Sequence, residues 1–177
     1  MNTTHWMAGG AVLLCTVAAW SDLRSRRIPN GLTLPVLVGA LCLHSALHSG
    51  QGLLLSLAGA VAAGALLLPG YALRFTGAGD VKLLMAVGAL LAFPAGLQVG
   101  LVSLVLGGLL GIVVALWKGR LGEVLGRSVG LGRWLAHRAA KVPLARPGTS
   151  GLRVPFGLAI ALATVAVVWS PWSRGGP

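Results

Sequence analysis

Only three acidic residues occur in this chain of 177, Asp22, Asp80 and Glu123, so any acid–base chemistry must draw on very few groups. Two carboxyl groups brought within about 3 Å of each other cannot both ionise, and they share one proton over a useful pH range. The ionised member can take a proton from an attacking water while the protonated member donates to a carbonyl oxygen. Such a pair hydrolyses a peptide bond without a metal and without a covalent intermediate. Asp22 and Asp80 are the candidates, since Glu123 falls among basic residues in a loop and reads as solvated. Which aspartate is base and which acid stays open, because a coupled pair titrates as a unit. No cofactor is called for. The histidines His5, His44, His48 and His137 have no carboxylate or cysteine at ligand spacing that would build a metal site.

The neighbours of the two aspartates sharpen this reading. Asp22 is followed by Leu-Arg-Ser-Arg-Arg-Ile-Pro-Asn. Pro29 cannot continue a helix and disfavours helical backbone at Ile28, while Asn30 can cap the next helix. Asp80 is preceded by Gly77-Ala78-Gly79, whose glycines permit positive φ and let another backbone, such as an extended substrate, approach closely. Plainer readings stand beside these. Asp22 could pair with Arg26 at i,i+4, and Asp80 could serve as the N-cap of its helix. Lys82 could hold an acidic group of a substrate, depress a nearby carboxyl pKa, or act as a topology-setting cation. Arg24, Arg26 and Arg27 fit the topological role better.

The elements that must carry these residues follow from composition. The chain is 56% hydrophobic and only 10% charged, against about 25% charged in an ordinary soluble domain. Its apolar runs lack the polar face that a soluble helix shows to water. The bilayer is the natural solvent. A membrane-spanning helix needs roughly 20 mostly apolar residues, and the pattern predicts an all-α protein with six spans, at 6–23, 31–48, 52–72, 81–94, 96–117 and 154–170, in a single domain over 1–177. Basic loops stay on the cytoplasmic side. Thirteen of the Lys and Arg residues fall in the loops after the first, third and fifth spans, against Arg174 alone on the other side. Both termini are therefore expected outside, with Asp22 and Asp80 at the cytoplasmic ends of the first and fourth spans.

The net charge of +11 would raise nucleic-acid binding for a soluble protein. In loops that flank a membrane its partner is anionic lipid, and no nucleic acid is expected. In the 118–153 loop, Leu121, Val124, Leu125, Val129, Leu135 and Ala139 share a face opposite Arg120, Arg127, Arg138 and Lys141. This pattern reads as a helix lying on the cytoplasmic surface, although Gly122, Gly126, Gly130 and Gly132 weaken it. Cys15 and Cys42 read as packing residues. Gly96-x-x-x-Gly100 and Gly107-x-x-x-Gly111 read as internal helix packing rather than a dimer face, and Trp169 and Trp172 as an interfacial aromatic belt.

Two segments, Asp22 through Ile28-Pro29-Asn30 and Gly77-Ala78-Gly79-Asp80-Val81-Lys82-Leu83-Leu84, resemble those of the type IV prepilin peptidases, membrane aspartic proteases of the Gly-x-Gly-Asp class. Pro155-Phe156-Gly157 also looks like the family, and the short length resembles the compact form associated with tight-adherence (Flp) pili. The resemblance implies that Asp22 and Asp80 are catalytic, with Gly77, Gly79, Lys82, Pro29 and Asn30 shaping the site. It implies a bacterial inner-membrane location. The implied substrate is a prepilin or pseudopilin, cut at the cytoplasmic face after a glycine that precedes its hydrophobic helix. Longer members carry an added cytoplasmic segment with paired cysteines and methylate the new amino terminus; this chain shows no such segment and no evident S-adenosylmethionine site. Two other classes compete, a small proton-coupled transporter and a non-enzymatic membrane assembly factor. No repeated halves of the kind carriers often show are evident, and the residues leave the oligomeric state open.

Overall fold

A computed structural model describes residues 3–25, 30–72, 76–117, 119 and 156–170. Among them every regular element is helical: α1 (Thr3–Ser25), α2 (Asn30–Ala72), α3 (Ala78–Leu91), α4 (Ala95–Trp117) and α5 (Phe156–Trp169). The six predicted segments fall on these elements. Those at 31–48 and 52–72 are the two arms of α2, helices that meet at a kink where His48 (φ −130°, ψ 19°) and Ser49 (φ 53°, ψ −147°) leave the helical conformation. Gly52 explains the tightness of the bend, because a Cβ there would stand 2.6 Å from that of His48. The predicted 81–94 helix begins earlier and ends earlier, at Ala78 and Leu91, since the chain turns at Ala92 (φ 56°) before Pro94. The predicted surface helix at 118–153, together with Glu123, Trp172 and Pro155, lies outside the described residues.

Helix α3 is the centre of the molecule. It packs against each of the other four helices, and Val81, Leu83, Leu84, Ala86, Val87, Gly88 and Ala89 are all buried. Small residues bring its neighbours close, as expected where helices pack without a hydrophobic drive from water. Gly59 of α2 and Gly96 of α4 lie directly against Gly88, Gly64 lies against Met85, and Gly100 lies against Leu66 and Ala63. The close glycine contacts predicted from the spacing in α4 are thus made within the chain. The last carbonyls of α3 have no partner in their own helix. Ser56 Oγ donates to Ala89 O (2.8 Å), His44 Nε2 to Leu90 O (3.1 Å), and Phe93 N–H to Leu55 O (3.0 Å). Both arms of α2 therefore grip the end of α3 remote from Asp80.

Outer faces are apolar too. On α1, Met7, Ala11, Leu14, Cys15 and Ala18 are buried at helical spacing, while Trp6, Leu13, Val17 and Trp20 on the other face are exposed. The same holds for Leu54 and Val61 of α2, for Val105 and Leu109 of α4, and for Trp169 at the end of α5. Cys15 packs as expected, its Sγ 3.3 Å from Thr164 Oγ1 of α5. Cys42 does not: it is exposed, because it lies on the outward face of α2 beside Leu43. Two helices, Gly31–Tyr71 and Ala95–Val114, are long and apolar enough to cross a membrane.

Candidate active site

Asp22 lies in the last turn of α1 and Asp80 in the first turn of α3, so both stand at the same end of the bundle. The start of α5 meets them there. Gly157 N–H donates to Asp22 Oδ2 (3.3 Å), a contact between residues 135 apart in sequence. A Cβ on Gly157 would sit 3.1 Å from Asp22 Oδ2 and 3.3 Å from Asp22 Cβ, so any larger residue asks the carboxylate to give way by a few tenths of an ångström. The Phe156 ring lies over Gly107 of α4 and fixes where α5 begins.

Asp80 is held locally. Gly77 N–H donates to its Oδ2 (3.0 Å), which makes Gly77 the N-cap and Asp80 the third residue of the helix. The N-cap role considered for Asp80 therefore belongs to Gly77, with the carboxylate reaching back to the free N–H as in one half of a capping box. Gly77 has φ −81° and ψ 154°, ordinary extended backbone, so positive φ is not why glycine stands there. Space is a reason the geometry supplies: a Cβ at Gly77 would meet Asp80 Oδ2 at 3.3 Å. Gly79 lies inside the first turn of α3.

The two carboxyls sense each other. Burial pushes the Asp80 pKa up from 3.8 to about 6, against the lowering effect of the Gly77 N–H, and the charge of Asp22 raises it further. Both side chains are half-buried. Lys82 is half-buried as well, but a spacing of two puts it on a different face of α3 from Asp80. Asn30 opens α2, with its side chain outside the described part, and Pro29, Arg26 and Arg27 are outside it altogether. The recess of 280 Å³ lined by Gln98, Val102, Ala166, Val167 and Ser170 lies toward the other end of α5 and contains no acidic group.

Gly157 is the member of this cluster that sequence reasoning did not place. Its role is played by a backbone N–H, which leaves no side-chain signature; the nearest signal was the Pro155-Phe156-Gly157 string opening the last apolar run.

In chemical terms the cluster is two carboxyls from separate helices, one of them easily protonated, with glycines leaving room around both. No curated protein and no solved structure matches the chain. The sequence model of the type IV leader peptidase family matches residues 10–112, more than half of the chain and a span that includes both Asp22 and Asp80, and the protein belongs to that family.

Proposed function

We propose that this protein is an aspartic endopeptidase that removes the basic leader of a type IV prepilin or pseudopilin at the cytoplasmic face of the bacterial inner membrane. Family membership carries the type IV leader peptidase activity. The observation that supports an aspartyl mechanism is that α1 and α3 bring Asp22 and Asp80 to the same end of the bundle, both half-buried.

The mechanism runs through water. One ionised carboxylate takes a proton from the water as its oxygen bonds to the scissile carbonyl carbon; the other, protonated, gives its proton to the carbonyl oxygen. The resulting gem-diol collapses when the first aspartic acid protonates the amide nitrogen, the C–N bond breaks, and a diol proton returns to the second. Products leave with the pair again holding one proton. A substrate whose hydrophobic helix lies in the bilayer and whose basic leader projects into the cytoplasm would present its scissile bond at this depth. Anionic lipid would gather around the basic loops on the same side.

Purified protein in detergent micelles, mixed with a prepilin-like peptide carrying a basic leader, a glycine and an apolar segment, tests this reading. Cleavage after the glycine is expected from the native chain, and none from Asp22→Asn or Asp80→Asn, although both should accumulate in the membrane. Normal cleavage by either variant refutes the dyad. A proton carrier or an assembly factor would leave the peptide whole in every case.

A further inference from the structure

Each aspartate receives one N–H from the start of a helix, but the two helices differ. Asp80 is served by its own helix, α3, through Gly77. Asp22 sits in the last turn of α1, where the carbonyl end of a helix disfavours negative charge. Its offset comes from outside: the amino-terminal turn of α5, a 14-residue helix whose positive dipole end faces the Asp22 carboxylate. Gly157 is buried, and Phe156, only 8% exposed, is seated on Gly107. The donor is therefore preset by packing against α4 rather than free to swing. Few other charges are at hand. Neither α4 nor α5 carries a charged residue, and the charged groups nearest along α1 and α3 are Arg24, Asp80 and Lys82.

We infer that the Phe156–Gly157 turn is the positioning device of the dyad: Phe156, seated on Gly107, presets the Gly157 N–H, and that N–H fixes where the Asp22 carboxyl stands for the reaction. This role rests on the dyad proposed above.

Gly157→Ala tests it, because the methyl would press on Asp22 while leaving the N–H and the rest of α5 unchanged. Gly108→Ala is the control, since a Cβ there meets nothing within 4 Å. With the prepilin-like peptide and detergent-solubilised full-length enzyme, Gly157→Ala should lower kcat about tenfold, because the added Cβ shifts the Asp22 carboxyl by a few tenths of an ångström. KM should stay within about twofold, since the substrate's own contacts are untouched. Gly108→Ala should match the native enzyme. A Gly157→Ala enzyme with native kcat, or one that loses activity through KM alone, overturns the positioning role. Asp22→Asn run alongside separates the two levels. If it is dead while Gly157→Ala is normal, only the positioning role falls; if it cleaves, the dyad itself falls. Should Gly157→Ala fail to fold, Phe156→Leu, which loosens the seat on Gly107, must show a kcat loss of about tenfold or more, and native kcat there overturns the inference equally.

Discussion

On the proposed mechanism Asp80 couples the chemistry to pH. Its folded pKa of about 6 lies above the value of 3.8 for a free carboxyl, so the fold prefers the protonated form. The stability this group contributes is full below the lower value and is lost as pH rises through the upper one. Two measurements follow. Peptide cleavage should show a kcat/KM that holds to about pH 6 and then drops roughly tenfold per further unit as the essential proton is lost; a flat profile from acid to alkaline pH would remove Asp80 from the reaction. Thermal unfolding should show the reverse of catalysis: Asp80→Asn is inactive yet melts roughly 3 °C higher than the native chain under alkaline conditions, with the gap closing in acid, as expected when a functional group is kept at a cost in stability. That both aspartates would stand at one end of the bundle was legible in the sequence, because each lies at the edge of an apolar run, where a carboxyl is costly to hold. Gly157 was not, since a backbone donor looks the same in every residue but proline.

At the scale of elements, the six apolar segments could be read from length and hydropathy, but the buried face of each could not. In α1, Leu13 and Leu14 are adjacent and equally apolar, yet one is 68% exposed and the other 2%. A helix that lacks a polar side offers no periodic contrast, and small residues mark the contact face instead, as Ala11 and Ala18 do here. The tightest such contact makes a sharp prediction. A Cβ on Gly88 would lie 2.5 Å from Gly59 O and 2.9 Å from Ala63 Cβ, and backbone cannot yield cheaply. Gly88→Ala should therefore destabilise the protein by about 1–3 kcal/mol, the usual range for overpacking, whereas Gly108→Ala should be neutral or slightly stabilising in the same denaturation series. Ser56→Ala attacks the same helix from its far end. It leaves Ala89 O without its side-chain donor, for a loss of about 1–3 kcal/mol. Equal stability of Gly88→Ala and Gly108→Ala would show that α2 and α3 do not meet through these glycines. The bend in α2 was half legible. Ser49-Gly50-Gln51-Gly52 announced a break, but the close approach of Gly52 to His44 and His48 that sets the kink leaves no mark in the hydropathy pattern.

For the whole molecule, the decisive question is how the bundle sits in the bilayer. Large apolar side chains cover its exterior, and two helices have the length and composition to cross. Asp22, Asp80 and Gly157 all lie at one end of the bundle, and the bend of α2 with the His44 and Ser56 contacts lies at the other. Helix α3 spans only 14 residues, about 21 Å at the usual rise, which is short of a hydrocarbon core of about 30 Å. It therefore depends on its longer neighbours to shield it. On the proposed topology, in which the basic loops stay inside, the Asp22 end faces the cytoplasm. Single cysteines in a Cys15→Ser, Cys42→Ser background read this directly with a membrane-impermeant maleimide on intact cells. Gly176→Cys should label from outside, and Ser150→Cys, among the basic residues of the long loop, should label only after the membrane is opened. The opposite pattern would put the aspartates on the far side from a cytoplasmic leader, and labelling of both from outside would show that the last helix does not cross.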